Sequence, residues 1–291
     1  VKVSKSIYLF FLPGAVLYAV FFLYPALSAF YYSITDWDGI SADYSFVGFD
    51  NYARAFTGDS IFIKSVGNNL KFLLFVVVFQ TLVALVFAMM LRKNSKINVF
   101  WRSVFFFPTI LSSVSVAFIW SFIYDPNLGL LNALLKAVGL GQFSQGWLGD
   151  ESAAIFALAF TQVWFHAGQM LIIFVAGLHA IPNDLYEVAN IEGATKWQTF
   201  RKVTWPLLAP SATIVVAYTT IQSFKAFDLV FAMTRGGPNY STEIIATYIY
   251  EVGFRSYSFG YASSISVIFM GIVALITFLQ FKALRSGRVN Y

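Results

Sequence analysis

Apolar residues in this chain fall into six long runs, and polar residues fall mostly between them. The runs cover residues 7–33, 70–91, 104–124, 153–180, 207–233 and 262–281. Each is close to the ~20 residues a helix needs to cross the hydrocarbon core of a bilayer. The pattern predicts an all-α integral membrane protein, a single membrane domain of about six transmembrane helices. Lys2 and Lys5 precede the first run, as in a signal peptide. A signal peptide's apolar region, however, is only about 7–15 residues long. This run is longer and lacks a convincing small-residue cleavage site, so we read it as the first membrane helix. Pro13 and Pro25 are expected to kink it, which neighbouring helices in a bundle accommodate.

The polar connections differ in kind. Residues 36–68 are acidic, with Asp36, Asp38, Asp43, Asp50 and Asp59. Between Asp125 and Glu151, turn signals flank a weakly amphipathic Leu130–Val138 segment that predicts a short surface helix. Thr234–Asn239 (T-R-G-G-P-N) is a turn, with glycines for unusual φ and proline for fixed φ. Ile244–Tyr257 predicts a short amphipathic helix on the outer face.

The connection after the fourth run is the most structured. Pro182 ends what precedes it, and Asn183 is a candidate N-cap with Asp184 in the favourable first turn. Leu185, Val188 and Ala189 fall at i, i+3 and i+4 and make one small apolar face, with Glu187 and Glu192 off it. Gly193 suits a left-handed helix end. Thr195 and Gln198 have capping-box spacing for a second helix, which Lys196, Arg201 and Lys202 load with positive charge. Pro206 is expected to start the next element. The reading is helix, glycine bend, helix over residues 182–205. Such a hairpin offers apolar contacts and both signs of charge to a soluble partner; the plain alternative is an interfacial loop.

Composition agrees with the pattern. The chain has 291 residues, a mean hydropathy of +0.70 and only 11% charged residues, against roughly a quarter in soluble domains. Without cysteine it has no thiol nucleophile or Cys-based metal site, and two histidines, His166 and His179, are too few for a His-only zinc site. No metal or catalytic set is expected. There is no G-x-x-x-x-G-K-[ST] run, so any ATP and Mg must sit on another subunit, and no cofactor is expected on this chain. The net charge of +5 comes from basic residues beside the spans, which we read as topology signals rather than a nucleic-acid surface. Twelve lysines and arginines collect on the side that holds both termini and the 182–205 hairpin, against five on the other side. That bias places the hairpin and the termini in the cytoplasm.

The run E-V-A-N-I-E-G-A at 187–194, followed by Trp205-Pro206, resembles the EAA signature of bacterial ABC importer permeases. Glu187, Ala189, Gly193 and Ala194 match it, while Val188, Glu192 and Trp205 are mild departures. I-P-x-x-L-Y at 181–186, F-V-G-F-D-N-Y at 46–52 and the stretch from Phe224 to Pro238 resemble the carbohydrate-importer branch, and the resemblance extends over nearly the whole chain. It implies that Leu185, Glu187, Val188, Ala189, Glu192, Gly193 and Ala194 dock on a cytoplasmic P-loop ATPase dimer. It also implies a second homologous permease subunit, an extracytoplasmic solute-binding protein and a sugar substrate, with the chain in the inner, lipid-bounded cell membrane. The runner-up solute in the same branch is glycerol-3-phosphate or its diesters.

Polar side chains inside spans mark pathways or helix contacts. Gln162, His166 and Gln169, at i, i+4 and i+7, share one face of the fourth span, with Trp164 near them. Amides and imidazole suit sugar hydroxyls, and an indole suits a sugar's C–H face. Gln222 in the fifth span and Gln80 in the second are further pathway candidates; the alternative for all is hydrogen bonding between helices. Lys225 and Asp228 are expected to pair with each other or with Glu243 or Glu251, and Ser112, Ser113 and Ser115 to mark close helix packing. No span holds an internal arginine, which favours a neutral sugar over a phosphate. A secondary transporter would need coupling carboxylates in the spans, where Asp228 stands alone, and an internal repeat, which is not visible. A membrane enzyme would need a convergent acid–base or metal cluster, and the two histidines lie 13 positions apart without flanking carboxylates in the span.

Overall fold

In the structure, a computed structural model, residues 6–285 are described, with side chains from 10 to 283. Lys2, Lys5 and Arg288, which contribute to the charge bias, lie outside the described residues. The helices in order are α1 (Ser6–Tyr18), α2 (Tyr24–Tyr32), α3 (Asp50–Thr57), α4 (Ser60–Met90), α5 (Lys96–Phe106), α6 (Ser113–Ile123) and α7 (Leu130–Ala137). There follow α8 (Ala154–His179), α9 (Asn183–Ile191), α10 (Lys196–Thr199), α11 (Trp205–Phe224), α12 (Phe227–Met233), α13 (Ile245–Tyr250) and α14 (Phe259–Arg285). Among the described residues, five helical runs are long and apolar enough to cross a membrane, and six if the bent α5–α6 pair counts as one. The all-helical membrane fold expected from the hydropathy pattern is the fold observed.

Its interruptions differ from the expectation, and each has a local cause. The third run is not one helix: α5 with its 3-10 turn and α6 meet at 100°. Pro108 sits in that turn without an N–H to donate, Leu111 and Ser112 are extended, and the Ser112 hydroxyl caps α6 by accepting from the Ser115 N–H. The fifth run breaks at Lys225 and Ala226, between α11 and α12. There the carboxyl end of one helix faces a lysine and the first turn of the next holds Asp228, the charges the two helix dipoles prefer. Pro206 stands in the first turn of α11, as expected, but no gap precedes it, because α10, a π-helical turn Phe200–Thr204 and α11 form one continuous run from Lys196 to Phe224. A proline in an α-helix clashes with the carbonyl four residues back. Here Trp205 N–H reaches back to Phe200 O, and the widened turn accommodates the ring. The same device recurs at Pro25, two residues after the π turn Ala19–Leu23. Asn183 is not a cap: Pro182 takes the N-cap position and Asn183 is the first helical residue. Finally, α4 begins at Ser60 rather than 70, because its polar first turns hold a loop. Lys64 Nζ donates to Asn239 O at 2.6 Å and Asn68 Nδ2 to Tyr240 O at 2.9 Å.

The helices group into two units, one of residues up to 63 with 248–272 and one of 64–247 with the residues from 273. In the second, α8 is the most buried span. Its Met170, Leu171, Phe174 and Leu178 pack with Ala84 and Ala88 of α4 and Leu208, Ala212 and Val215 of α11. Lipid tails are as apolar as these side chains, so close fit and interhelical hydrogen bonds, rather than the hydrophobic effect, hold such contacts.

In the first unit the Asp59 carboxylate is a knot. Its Oδ2 accepts from the hydroxyls of Tyr248 at 2.5 Å and Tyr261 at 2.6 Å, its Oδ1 accepts from the Phe62 N–H, and the Arg54 guanidinium lies 4.1 Å from the Tyr261 ring centre. Burial pushes the Asp59 carboxyl up, but the hydrogen bonds from Tyr248, Tyr261 and the Phe62 and Ile61 amides outweigh it and hold it below the ordinary value. A depressed carboxyl stabilises the fold above its unfolded value and loses that contribution as pH falls through the folded one. Asp59→Ala is therefore expected to lower stability at pH 7 by roughly 2–3 kcal/mol, since hydrogen bonds to a charged group are lost. The deficit should begin to shrink as pH falls below about 4, the carboxyl's unfolded range, and go on shrinking until the folded carboxyl, held lower, protonates as well. Thermal melts of both proteins across pH 3–7 check it.

Candidate functional site

The two helix breaks come together. Leu111 and Ser113 from the α5–α6 bend, Gln162, Phe165 and His166 from α8, and Gln222, Lys225 and Asp228 from the α11–α12 break line a cavity of about 280 Å³. Irregular backbone at membrane depth is tolerated where it lines a cavity, which is the case at both breaks. Within the lining, His166 Nδ1 and Gln222 Oε1 are buried with no hydrogen-bond partner. Gln222 is oriented by a relay: its Nε2 donates to Gln169 Oε1 at 3.2 Å, and Gln169 Nε2 donates to the Tyr218 hydroxyl at 3.1 Å. Asp228 does not pair with Lys225. Its Oδ2 accepts from the Ser113 hydroxyl at 3.2 Å, while Glu251 pairs with Arg255 at 2.9 Å, one turn further along its own helix.

Of the pathway candidates, Gln162, His166 and Gln222 line this cavity. Gln169 stands one step behind, in the relay. Gln80 is fully buried and donates to Thr219 Oγ1 at 3.2 Å, and Trp164 stacks edge-on against Trp120. Lys225, Asp228 and Ser113, which sequence reasoning assigned to structural pairing and packing, are part of the lining. For Ser113 the available signal was a proline followed by a capping serine, Pro108 and Ser112, inside an apolar run; at Lys225 neither proline nor glycine marks the break.

The second feature is the hairpin. Gly193 has φ +73° and closes α9, with Ala194 N–H bonded to Ala189 O at 2.9 Å. The capping box is complete: Gln198 N–H donates to Thr195 Oγ1 at 3.3 Å and Thr195 N–H to Gln198 Oε1 at 2.8 Å. Ala189 is buried, while Leu185, Val188 and Ile191 stay exposed on α9 and Trp197 on α10. Glu187, Glu192 and Gly193 are exposed and Ala194 is half-buried. Ile191, 84% exposed, was missing from the sequence-derived face because it lies one step beyond the i, i+3, i+4 set.

The family profile described as "Binding-protein-dependent transport system inner membrane component" matches residues 80–287. A diacetylchitobiose uptake system permease protein of Streptomyces coelicolor is 36% identical over 276 residues, covering 91% of this chain and 78% of its own. A multiple sugar-binding transport system permease protein of Streptococcus mutans is 34% identical over 273 residues, covering 94% and 93%. Among solved structures, a chain of a bacterial ABC transporter involved in the import of the acidic polysaccharide alginate superposes with a TM-score of 0.82 over 97% of this chain and 95% of that one. At 20% identity it speaks to the fold alone. With family and fold in agreement over most of its length, this chain belongs to the inner-membrane permeases of binding-protein-dependent ABC importers and is a transport component without catalysis of its own.

Proposed function

We propose that this permease translocates an oligosaccharide, received from an external binding protein, along a path that includes the 280 Å³ cavity. A second, homologous permease subunit completes the path. The hairpin of α9 and α10 faces the cytoplasm and docks on an ATPase dimer that binds the ATP and Mg. The lysine and arginine excess on the hairpin's side supports this orientation. The observation that carries the substrate reading is the pair of partnerless buried atoms, His166 Nδ1 and Gln222 Oε1, in one lining. A buried polar atom without a partner costs about 1–3 kcal/mol. Sugar hydroxyls, which both donate and accept, would satisfy both atoms and the Gln162 amide beside them.

The test follows from that cost. The double variant His166→Leu/Gln222→Leu removes the orphaned atoms and gives up the Gln222–Gln169 hydrogen bond, so the two effects offset and its melting temperature should stay close to the wild type's. Its uptake of the transported sugar should fall at least about tenfold, the loss of one or two hydrogen bonds in a dry site. Stable protein with undiminished uptake would sink the reading. A glycerol-3-phosphate-type solute is the second reading, favoured by Lys225 in the lining. Asp228 faces the same cavity and offsets that charge, so the neutral sugar is preferred.

A further inference from the structure

One place where the hairpin meets the rest of its unit is a joint built on Tyr186. The turn between α4 and α5 is held from two sides. Arg102 of α5 donates to the carbonyls of Leu91, Arg92 and Lys93 and to Asn94 Oδ1, closing the carboxyl end of α4. His179 at the end of α8 brings its Nε2 to 2.6 Å from the Arg92 carbonyl, an N–H donor by its acceptor's nature. With its backbone pinned this way, Arg92 lays its guanidinium over the Tyr186 ring of α9, 4.4 Å from the ring centre. The Tyr186 hydroxyl in turn accepts from Thr204 Oγ1 at 3.3 Å, and Thr204 is the buried last residue of the π turn that leads into α11. One half-buried side chain thus touches the first arm of the hairpin, the base of α4 and the root of α11.

We propose that Tyr186 is a positioning residue for transport: with Arg92 it transmits displacement of the hairpin to α4 and α11. The proposal rests on the reading that the hairpin docks on an ATPase. The first arm, α9, is set off from α10 by the Gly193 bend, so a push on it reaches α4 and α11 through its side-chain contacts beside the backbone that continues from α10 into α11. Two routes lead onward. Through Thr204 the displacement enters α11, which runs unbroken to Phe224 and carries Gln222 of the cavity lining about 27 Å away at 1.5 Å per residue. Through Arg92 it enters α4, whose Gln80 is bonded to Thr219 of the same α11. The joint therefore ties both helices to the first hairpin arm, and without it that arm is linked to α11 only through the Gly193 bend and α10.

The experiment uses the whole importer, with its ATPase and binding protein, reconstituted in liposomes. Three quantities are read: ATPase retained on the purified permease, ATP hydrolysed, and sugar taken up per ATP. Tyr186→Leu and Arg92→Ala should retain the ATPase and hydrolyse ATP, while uptake per ATP falls about fivefold or more, the scale of a partly desolvated cation–π contact. Arg92→Lys, which keeps a cation over the ring, should restore most of it. Tyr186→Phe keeps the ring and loses the link to Thr204, so it should show an intermediate loss. The double variant Tyr186→Leu/Arg92→Ala should be no worse than the more affected single variant, because both remove the same joint. Unchanged uptake per ATP in assembled Tyr186→Leu, or losses that add in the double variant, would overturn the proposal. If Tyr186→Leu does not fold, the Arg92→Ala and Arg92→Lys pair decides by the same ratio. Failure of the docking reading shows differently: the ATPase then stays bound and coupled whatever is done to the exposed hairpin face, Ile191 included.

Discussion

Gly168→Val is expected to remove folded permease from the membrane. Gly168 is buried in the middle of α8, where that helix crosses α5. A Cβ built on it runs into the carbonyl of Phe105 and the amide nitrogen of Phe106, which are backbone atoms and have no rotamer to escape into. Small residues at such crossings let membrane helices approach until van der Waals packing holds them. A valine there forces α8 away from α5 and from the 3-10 turn that leads to Leu111 and Ser113, so the cavity loses one wall along with the packing. Overpacking costs typically 1–3 kcal/mol when side chains can yield, and against backbone we expect about 3 kcal/mol or more. Gly168→Ala should show the same sign at smaller size. Gly67 of α4, with nothing within 4 Å of its built Cβ, is the control: Gly67→Ala should be neutral or slightly stabilising, since alanine favours helix. Yield of monodisperse protein and its melting temperature in detergent report all three. A wild-type melting temperature for Gly168→Val would show that the α5–α8 approach is not as close as described.

Why some of this was legible in the sequence and some was not follows from what a one-dimensional pattern encodes. Hydropathy locates spans because burial in lipid depends on the residues of the span itself, and α8 came within a residue of its expected 153–180 limits. The Thr195–Gln198 capping box and the Gly193 bend were equally local, and both are present as read. The α5–α6 bend was half visible: Pro108 and Ser112 are signals of a stop and a start, but an apolar run bridges them and hid the break. Spacing also shows which residues share a face without showing what that face meets. Gln162 and His166 meet the cavity, whereas Gln169 one turn on meets Gln222 and Tyr218, and Gln80 meets Thr219. The Tyr186 joint lay beyond reach for the same reason, because Arg92, His179 and Thr204 converge on it from three separate elements.

Ile191→Asp is expected to leave the permease folded and strip it of its ATPase. Ile191 is the last residue of α9 and is 84% exposed; Val188 is 52% exposed and Trp197 67%. Lipid does not account for this surface, because Asp184, Glu187, Glu192 and Lys196 surround it, and such charges are costly in hydrocarbon. A face that is apolar at its centre and charged at its rim matches the anatomy of a protein interface, with few residues carrying most of the binding. Burying one isoleucine side chain contributes about 1.5–3 kcal/mol, and an aspartate in its place adds the cost of a desolvated charge. Together these amount to a loss of affinity of about 100-fold or more. Ile191→Ala removes the contact without adding the charge and should lose about tenfold. The fold has little to lose, since so exposed a side chain packs on almost nothing in its own chain, and an aspartate at a helix carboxyl end costs only about 0.3–1 kcal/mol. An unchanged melting temperature with the ATPase gone from the purified complex is therefore the expected signature. Retention of the ATPase together with wild-type uptake would place the docking surface elsewhere. The contrast with Tyr186 then separates grip from transmission: a residue that holds the ATPase alters assembly, and one that passes on its motion alters uptake per ATP with assembly intact.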